Sequence, residues 1–294
     1  MPAFENAAVV ATFAVAVSAA SIWAAPVAVG PQYDSTHVYV APDQVDRFVT
    51  SFVATFGGHA GKPASVTVTP TPSKTISEVA FTPVGFVSVF GFQTPIPYPF
   101  GEERTGYLVA DMDQAVAAAR AAGAELVVAP FPDAIGRDAV IRWPGGVNMQ
   151  LYWHTVAPTY AALTSVPENR VYVSPDQADV FVRDFLAFSG GQVVQDDPAA
   201  AGLGIARPGD HYRRIRVESA FGKLTVMVTD GHLPWPYGRE VTGYEVTDLS
   251  DTLAKARAAG AEVVREPYEE GGRTAAMVRF PGGYIAEIHA MAPR

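Results

Sequence analysis

The chain has 294 residues, 49% hydrophobic and 17% charged, which is enough for two domains with cores of their own and excludes a disordered polypeptide. A formal net charge of -9 without any cluster of Lys and Arg argues against a polyanionic partner, so nucleic acid is not expected. Cysteine is absent, which removes disulfides, thiolate metal sites and a Cys nucleophile but leaves the compartment open.

Residues 1–30 read as an apolar N-terminal segment outside the fold. No charged residue occurs between Ala7 and Gly30, as in an export signal or its remnant, yet Met1 to Asn6 supplies Glu5 and no basic residue. The other reading is an arm packed on the domains, so both cytoplasmic and exported locations stay open. Its Ala-rich composition is too weakly hydrophobic for a membrane span.

From His37 to Val40 the pattern is that of a strand. Pro42 suits a first helical position, and Val45, Phe48, Val49, Phe52, Val53 and Phe56 form an apolar stripe at helical spacing that Gly57-Gly58 ends. Strands follow at Ser65 to Thr69, Ile76 to Thr82 and Val84 to Phe92. A second unit opens with a strand from Thr105 to Ala110. Asp111 then caps a helix with Met112, Ala115, Val116, Ala119 and Ala122 on one face, stopped by Gly123. Strands at Glu125 to Val128, Ala139 to Trp143 and Val147 to His154 complete it, with a turn at Pro144-Gly145-Gly146.

Residues 158–168, with Pro158 and Pro167, have linker composition and separate a domain at 31–157 from one at 169–294. The second domain repeats the first in order. Val38-Tyr39-Val40-Ala41-Pro42-Asp43-Gln44 returns as Val171-Tyr172-Val173-Ser174-Pro175-Asp176-Gln177, with Ser174 as the expected helix N-cap. Pro97-Tyr98-Pro99-Phe100-Gly101 returns as Pro234-Trp235-Pro236-Tyr237-Gly238, and Pro144-Gly145-Gly146 as Pro281-Gly282-Gly283. So many matches in one order make the chain a tandem duplication.

Gly106-Tyr-x-Val-x-Asp111-Met-Asp-x-Ala115-Val, then Ala-Ala-Gly-Ala-Glu, then Trp143-Pro-Gly-Gly and a last strand, resembles the second half of a vicinal oxygen chelate domain, the superfamily of glyoxalase I, extradiol dioxygenases and bleomycin-binding proteins. The resemblance spans His37 to Ala290. It implies an α+β fold of two tandem glyoxalase-like domains, each pairing two βαβββ modules into a cupped mixed sheet. It also implies metal ligands on the first, fifth and last strands, which here are His37, Arg104 and Gln150 in one domain and Arg170, Val241 and Glu287 in the other. A divalent metal stays possible, but the family's His/His/Glu set is incomplete in both domains, since Arg has no lone pair to offer. The cofactor is therefore undetermined.

Alternation along the strands gives the lining of each cup. In the first it comprises His37, Tyr39, Ser88, Phe90, Phe92, Arg104, Gln150, Tyr152 and His154, an aromatic wall with a few polar groups suited to a small ligand. In the second it comprises Arg170, Tyr172, Thr225, Met227, Glu245, Glu287 and His289. Glu287 and His289 beside Arg170 read as an acid/base pair with an anion clamp, the Glu287 carboxyl moved toward neutrality, or more plainly as a structural ion pair. The aromatic-proline segments read as lids over the cups or as stiff connectors. The expected partner is a small organic molecule. If the chain is an enzyme, the resemblance implies lyase, isomerase or dioxygenase chemistry; the alternative is a non-catalytic sequestering protein. Oligomeric state is not legible.

Overall fold

A computed structural model describes residues 27–31 and 36–292. The export-signal reading falls on residues 1–26, outside the described residues. At 27–30 the chain lies along the first half: Ala28 is buried and bridges Val109, and the Ala110 amide donates to the Val27 carbonyl.

In the first half β1 (Thr36–Tyr39), α1 (Val45–Phe56), β2 (His59–Ala60), β3 (Ala64–Val66), β4 (Thr75–Thr82) and β5 (Gly85–Phe92) make one module. β6 (Gly106–Leu108), α2 (Met112–Ala121), β7 (Glu125–Pro132), β8 (Gly136–Arg142) and β9 (Asn148–His154) make the next. The second half follows with β10 (Glu168–Val173), α3 (Ala178–Ser189), β11 (Gln192–Ala201), β12 (His211–Ser219) and β13 (Gly222–Val228). It ends with β14 (Val241–Glu245), α4 (Leu249–Ala258), β15 (Glu262–Glu270), β16 (Arg273–Arg279) and β17 (Ile285–Met291). Among the described residues no helix is long and apolar enough to cross a membrane.

In the second half the strands form one sheet in the order β11-β12-β13-β10-β14-β17-β16-β15. Its two modules join where β10 runs antiparallel to β14, with Arg170 opposite Val241. In the first half the order is β2-β4-β5-β1 and then β6-β9-β8-β7, and the two pieces meet at one bridge, His37 to Arg104. In every module the first strand runs parallel to the last, a pairing that needs the intervening helix as crossover.

Local chemistry explains most element ends. Asp111 and Asp248 accept from the Gln114 and Asp251 amides at 2.9 Å and cap α2 and α4. Ser174 does not cap α3 as expected. A turn intervenes, so Ser174 supplies its backbone carbonyl to the Gln177 and Ala178 amides, and Gln177 is the capping residue. Likewise Pro42 opens a short 3-10 turn ahead of α1 rather than α1 itself. β3 is shorter than expected, whereas β7 and β8 extend into a longer hairpin.

The helix layers are shared between the halves. One core joins Tyr107, Met112, Ala119, Trp143 and Leu151 to Phe181, Phe185, Val217, Phe221 and Val226. The other joins Phe48, Phe52, Val87 and Val89 to Tyr244, Leu253, Phe280, Tyr284 and Ile288. Sequence-matched rings meet in both: Trp143 lies 6.1 Å from Phe185, and Phe280 lies 5.2 Å from Phe52. The matched turn glycines make the approach possible. A side chain at Gly145 (φ 85°) would collide with Val173, and one at Gly282 (φ 87°) with Val40.

Candidate functional site

The first cup is closed at one end and open at the other. Phe90, Phe92, Phe100, Phe131 and Val140 pack the closed end, with Tyr39 stacked 5.5 Å from Phe90 and 6.0 Å from Phe92. The open end is a cavity of about 160 Å³ whose lining includes His37, Ser88, Phe90, Asp138, Gln150, Tyr152, His154 and Tyr160. Its floor is a polar cluster. Gln150 Oε1 lies 3.0 Å from His37 Nδ1 and accepts from Arg104 Nη2 at 2.8 Å; the same Nη2 donates to the Tyr39 hydroxyl at 2.8 Å. Arg104 is 1% exposed, its guanidinium held between the Tyr39 and Phe100 rings and donating also to the Pro99 carbonyl.

Asp138 is absent from the expected lining but belongs to it. It stands on β8 opposite Tyr152 and is buried. Burial, aided by the Asp133 charge, pushes its carboxyl up to about 7, against the opposing pull of His37, Gln150 and Arg104. The pairing puts it there: β8 and β9 are antiparallel, so the residue opposite Tyr152 shares its face.

The second cup is filled. Met227, Tyr237, Val241, Tyr268, Met277 and Ile285 pack one part of it. Guanidiniums and carboxylates occupy the rest. Arg170 Nη1 meets Glu287 Oε2, Arg170 Nε lies 3.1 Å from Glu168, and Arg273 Nη2 lies 3.0 Å from Glu168. Arg214 Nη1 lies 2.9 Å from Glu270, and His289 Nδ1 lies 3.0 Å from Glu287 Oε1. The Tyr268 hydroxyl donates to Glu287 at 3.2 Å. Burial would raise the Glu287 carboxyl, but Arg170, the His289 ring and Arg273 outweigh it and hold it down to about 2. The expected movement toward neutrality is thus not what this carboxyl experiences. The cause is Arg170, itself 1% exposed and in direct contact with it.

Of the remaining expected lining residues, Tyr39 and Tyr172 reach a cleft of about 540 Å³ between the halves, with Glu102, Glu103, Asn148, Arg239 and Glu240. There Glu240 accepts from the Thr105 amide at 2.7 Å, and Arg239 meets Glu103 at 2.7 Å; burial pushes Glu103 and Glu240 up to about 7 each. Glu245, in register with His289 on β17, is partly exposed and lies 3.4 Å from Lys223. Each aromatic-proline segment turns one ring inward, Phe100 or Tyr237, and leaves the other, Tyr98 or Trp235, exposed.

No family model matches the chain, and no curated protein matches it. Solved structures do. A mutant of 4-hydroxymandelate synthase from Streptomyces coelicolor superposes with a TM-score of 0.59 at 15% identity, over 90% of this chain and 94% of that one. The fold is that of the vicinal oxygen chelate superfamily. The 2,3-dioxygenase LapB from Pseudomonas sp. KL28 gives a TM-score of 0.54 at 12% identity over 88% and 92% of the two chains. A Mn(II)-bound glyoxalase from Novosphingobium aromaticivorans gives 0.51 at 15% identity over 89% and 82%.

Within the vicinal oxygen chelate fold, the positions that resemblance gives to metal ligands do converge in both halves. His37 bridges Arg104, and Gly106 pairs with Gln150; Arg170 pairs with Val241, and Gly243 with Glu287. At each convergence point a guanidinium lies among the other side chains: Arg104 from the bridge just before β6 in the first half, Arg170 from β10 in the second. Among the described residues no group of three or more His, Cys, Asp and Glu is placed to hold a metal ion.

Proposed function

We propose that this vicinal-oxygen-chelate-fold chain binds a small, largely apolar aromatic molecule in its first cup without a divalent metal, and exchanges a proton with it through Asp138. The observation that carries the reading is a buried carboxyl, pushed up to about 7, lining an aromatic cavity beside His37 and Gln150. A carboxyl in that range can both donate and accept a proton near neutral pH. Phe90 and Tyr152 supply ring faces for an aromatic ligand, while Ser88 and His154 supply polar contacts at its edge.

A divalent ion does not fit either convergence point. A guanidinium has no lone pair for a metal and stays protonated, so Arg104 and Arg170 repel a cation from the place it would occupy. In the second cup the Glu287, His289 and Arg170 set serves as a structural ion pair: each member is buried and engaged by the others. The lyase, isomerase or dioxygenase identity of any reaction is narrowed by this to proton-transfer chemistry, with no step routed through a metal.

The test is binding of phenol and benzaldehyde to the full chain, followed by thermal shift and calorimetry. Both should raise the melting temperature saturably. Ser88→Phe, which fills the cavity, should abolish the shift, and Asp138→Asn should flatten the dependence of affinity on pH between 6 and 8. An absent shift, or one that survives Ser88→Phe, overturns the site. About one equivalent of Mn, Fe or Zn in protein purified without chelator overturns the metal-free reading.

A further inference from the structure

The segment that joins the halves has linker composition, and it carries no strand or helix between 155 and 167. It nevertheless stays on the fold. At its start the Thr155 amide donates to the Ile135 carbonyl, in the turn between β7 and β8, at 2.9 Å. Further on, the Thr164 amide and hydroxyl both donate to the Pro83 carbonyl, in the turn between β4 and β5, at 2.7 and 2.9 Å. The Ser165 hydroxyl donates to the Glu245 carbonyl at 2.8 Å. The two turns belong to different modules of the first half, and both border the first cup's cavity: Ile135 lines it from one, Phe86 from beside the other. The segment thus crosses the first cup from rim to rim. Midway, Tyr160 turns onto the cavity and lines it together with Asp138 and Tyr152. Its ring lies 5.1 Å from that of Phe86 and 5.6 Å from that of Phe81.

We propose that Tyr160 is the specificity-determining residue of the first cup: it walls the open end so that one aromatic ring enters and two fused rings do not. The inference rests on the small-molecule reading of that cup. Volume sets the limit. The cavity measures about 160 Å³, and an apolar hollow of about 150 Å³ is large enough for benzene. A second fused ring must therefore take the place of a wall. Phe86, Phe90 and Tyr152 cannot give way, because they are buried on β5 and β9, whose backbones are locked into ladders on both sides. Tyr160 differs from them. It is only half-buried and stands on no strand, with the anchors at Thr155 and Thr164 several residues to either side. Its ring is the wall that can be taken away without disturbing a ladder.

Calorimetry and thermal shift of the full chain with phenol and 2-naphthol test the proposal. Naphthol has the larger apolar surface and is the tighter ligand of any cup wide enough to take it. In the parent protein phenol should bind the more tightly, by about tenfold or more, the scale of an overfilled apolar site. Tyr160→Ala should reverse the order, with naphthol gaining about tenfold or more and phenol losing by a smaller factor. Tyr160→Phe should keep the parent order, because the ring and not the hydroxyl forms the wall. Tyr160→Leu retains an apolar contact with Phe81 and Phe86 and should move the order part of the way; it decides the matter if Tyr160→Ala does not fold. A parent that prefers naphthol overturns the assignment. So does a Tyr160→Ala or Tyr160→Leu protein that binds phenol and still discriminates as the parent does; either result leaves the ligand reading of the cup standing. Phenol that fails to bind the parent overturns that reading and this inference with it.

Discussion

Replacing Arg170 by Met removes the guanidinium that neutralises Glu287 while leaving the carboxyl sealed in the second cup, where it is 0% exposed. The magnitude follows from Glu287 itself. Its drop from 4.5 to about 2 corresponds to about 3 kcal/mol of native stability at neutral pH, at roughly 1.4 kcal/mol per pH unit. Loss of one partner of a buried pair costs about 3–5 kcal/mol. Because Arg273 and His289 still oppose burial at Glu287, the lower end is expected, about 3 kcal/mol. The pH dependence fixes the sign. In the parent protein the contribution of Glu287 is present above its unfolded value of 4.5 and is lost only as pH falls from there through about 2. In Arg170→Met burial dominates, the folded carboxyl titrates higher than in the parent, and protonation relieves the deficit as pH falls. Urea unfolding at pH 7 and pH 5 should therefore give a smaller difference between the two proteins at pH 5. Adding Glu287→Leu to Arg170→Met should recover most of the loss, since Glu168 retains Arg273 and Glu270 retains Arg214. A change below about 1 kcal/mol in the single variant, or no recovery in the double one, would refute the ion-pair account.

Asp138 carries the opposite sign. Its folded value, raised from 3.8 to about 7, costs stability that grows as pH rises between those values, so Asp138→Asn should be the more stable protein above pH 7 by up to about 4 kcal/mol, with the gain gone near pH 4 by chemical denaturation. The two helix layers, each built from both halves, predict one calorimetric unfolding transition for the whole chain; a separate transition for residues 27–157 would contradict the shared cores.

The order of strands and helices was legible because its signals are local: the stripe of Phe48, Val49 and Phe52, the Asp111 and Asp248 caps, and the turn glycines. Alternation also placed Arg170 and Glu287 on one face, where they touch, and His37 with Gln150. Other features depend on contacts distant in sequence. Asp138 falls one residue before the strand expected at Ala139 to Trp143, and only its pairing with Tyr152 on β9 places it in that strand and on the cup face. Nothing local marks Arg214, Glu270 and Arg273 as buried; only contacts across the sheet, Arg214 with Glu270 and Arg273 with Glu168, bring them into one cup. Nor does periodicity say which helix covers which sheet, and the pairing of Trp143 with Phe185 across the two halves could not be read from spacing.

That pairing bears on how such a chain can change. A solitary half would present two greasy helical flanks with nothing to shield them, and here the other half shields both. Carrying both halves on one chain makes that association permanent and independent of concentration. It also removes the requirement that the two concavities stay alike. One encloses a hollow beside Asp138, while the other is occupied by guanidiniums and carboxylates.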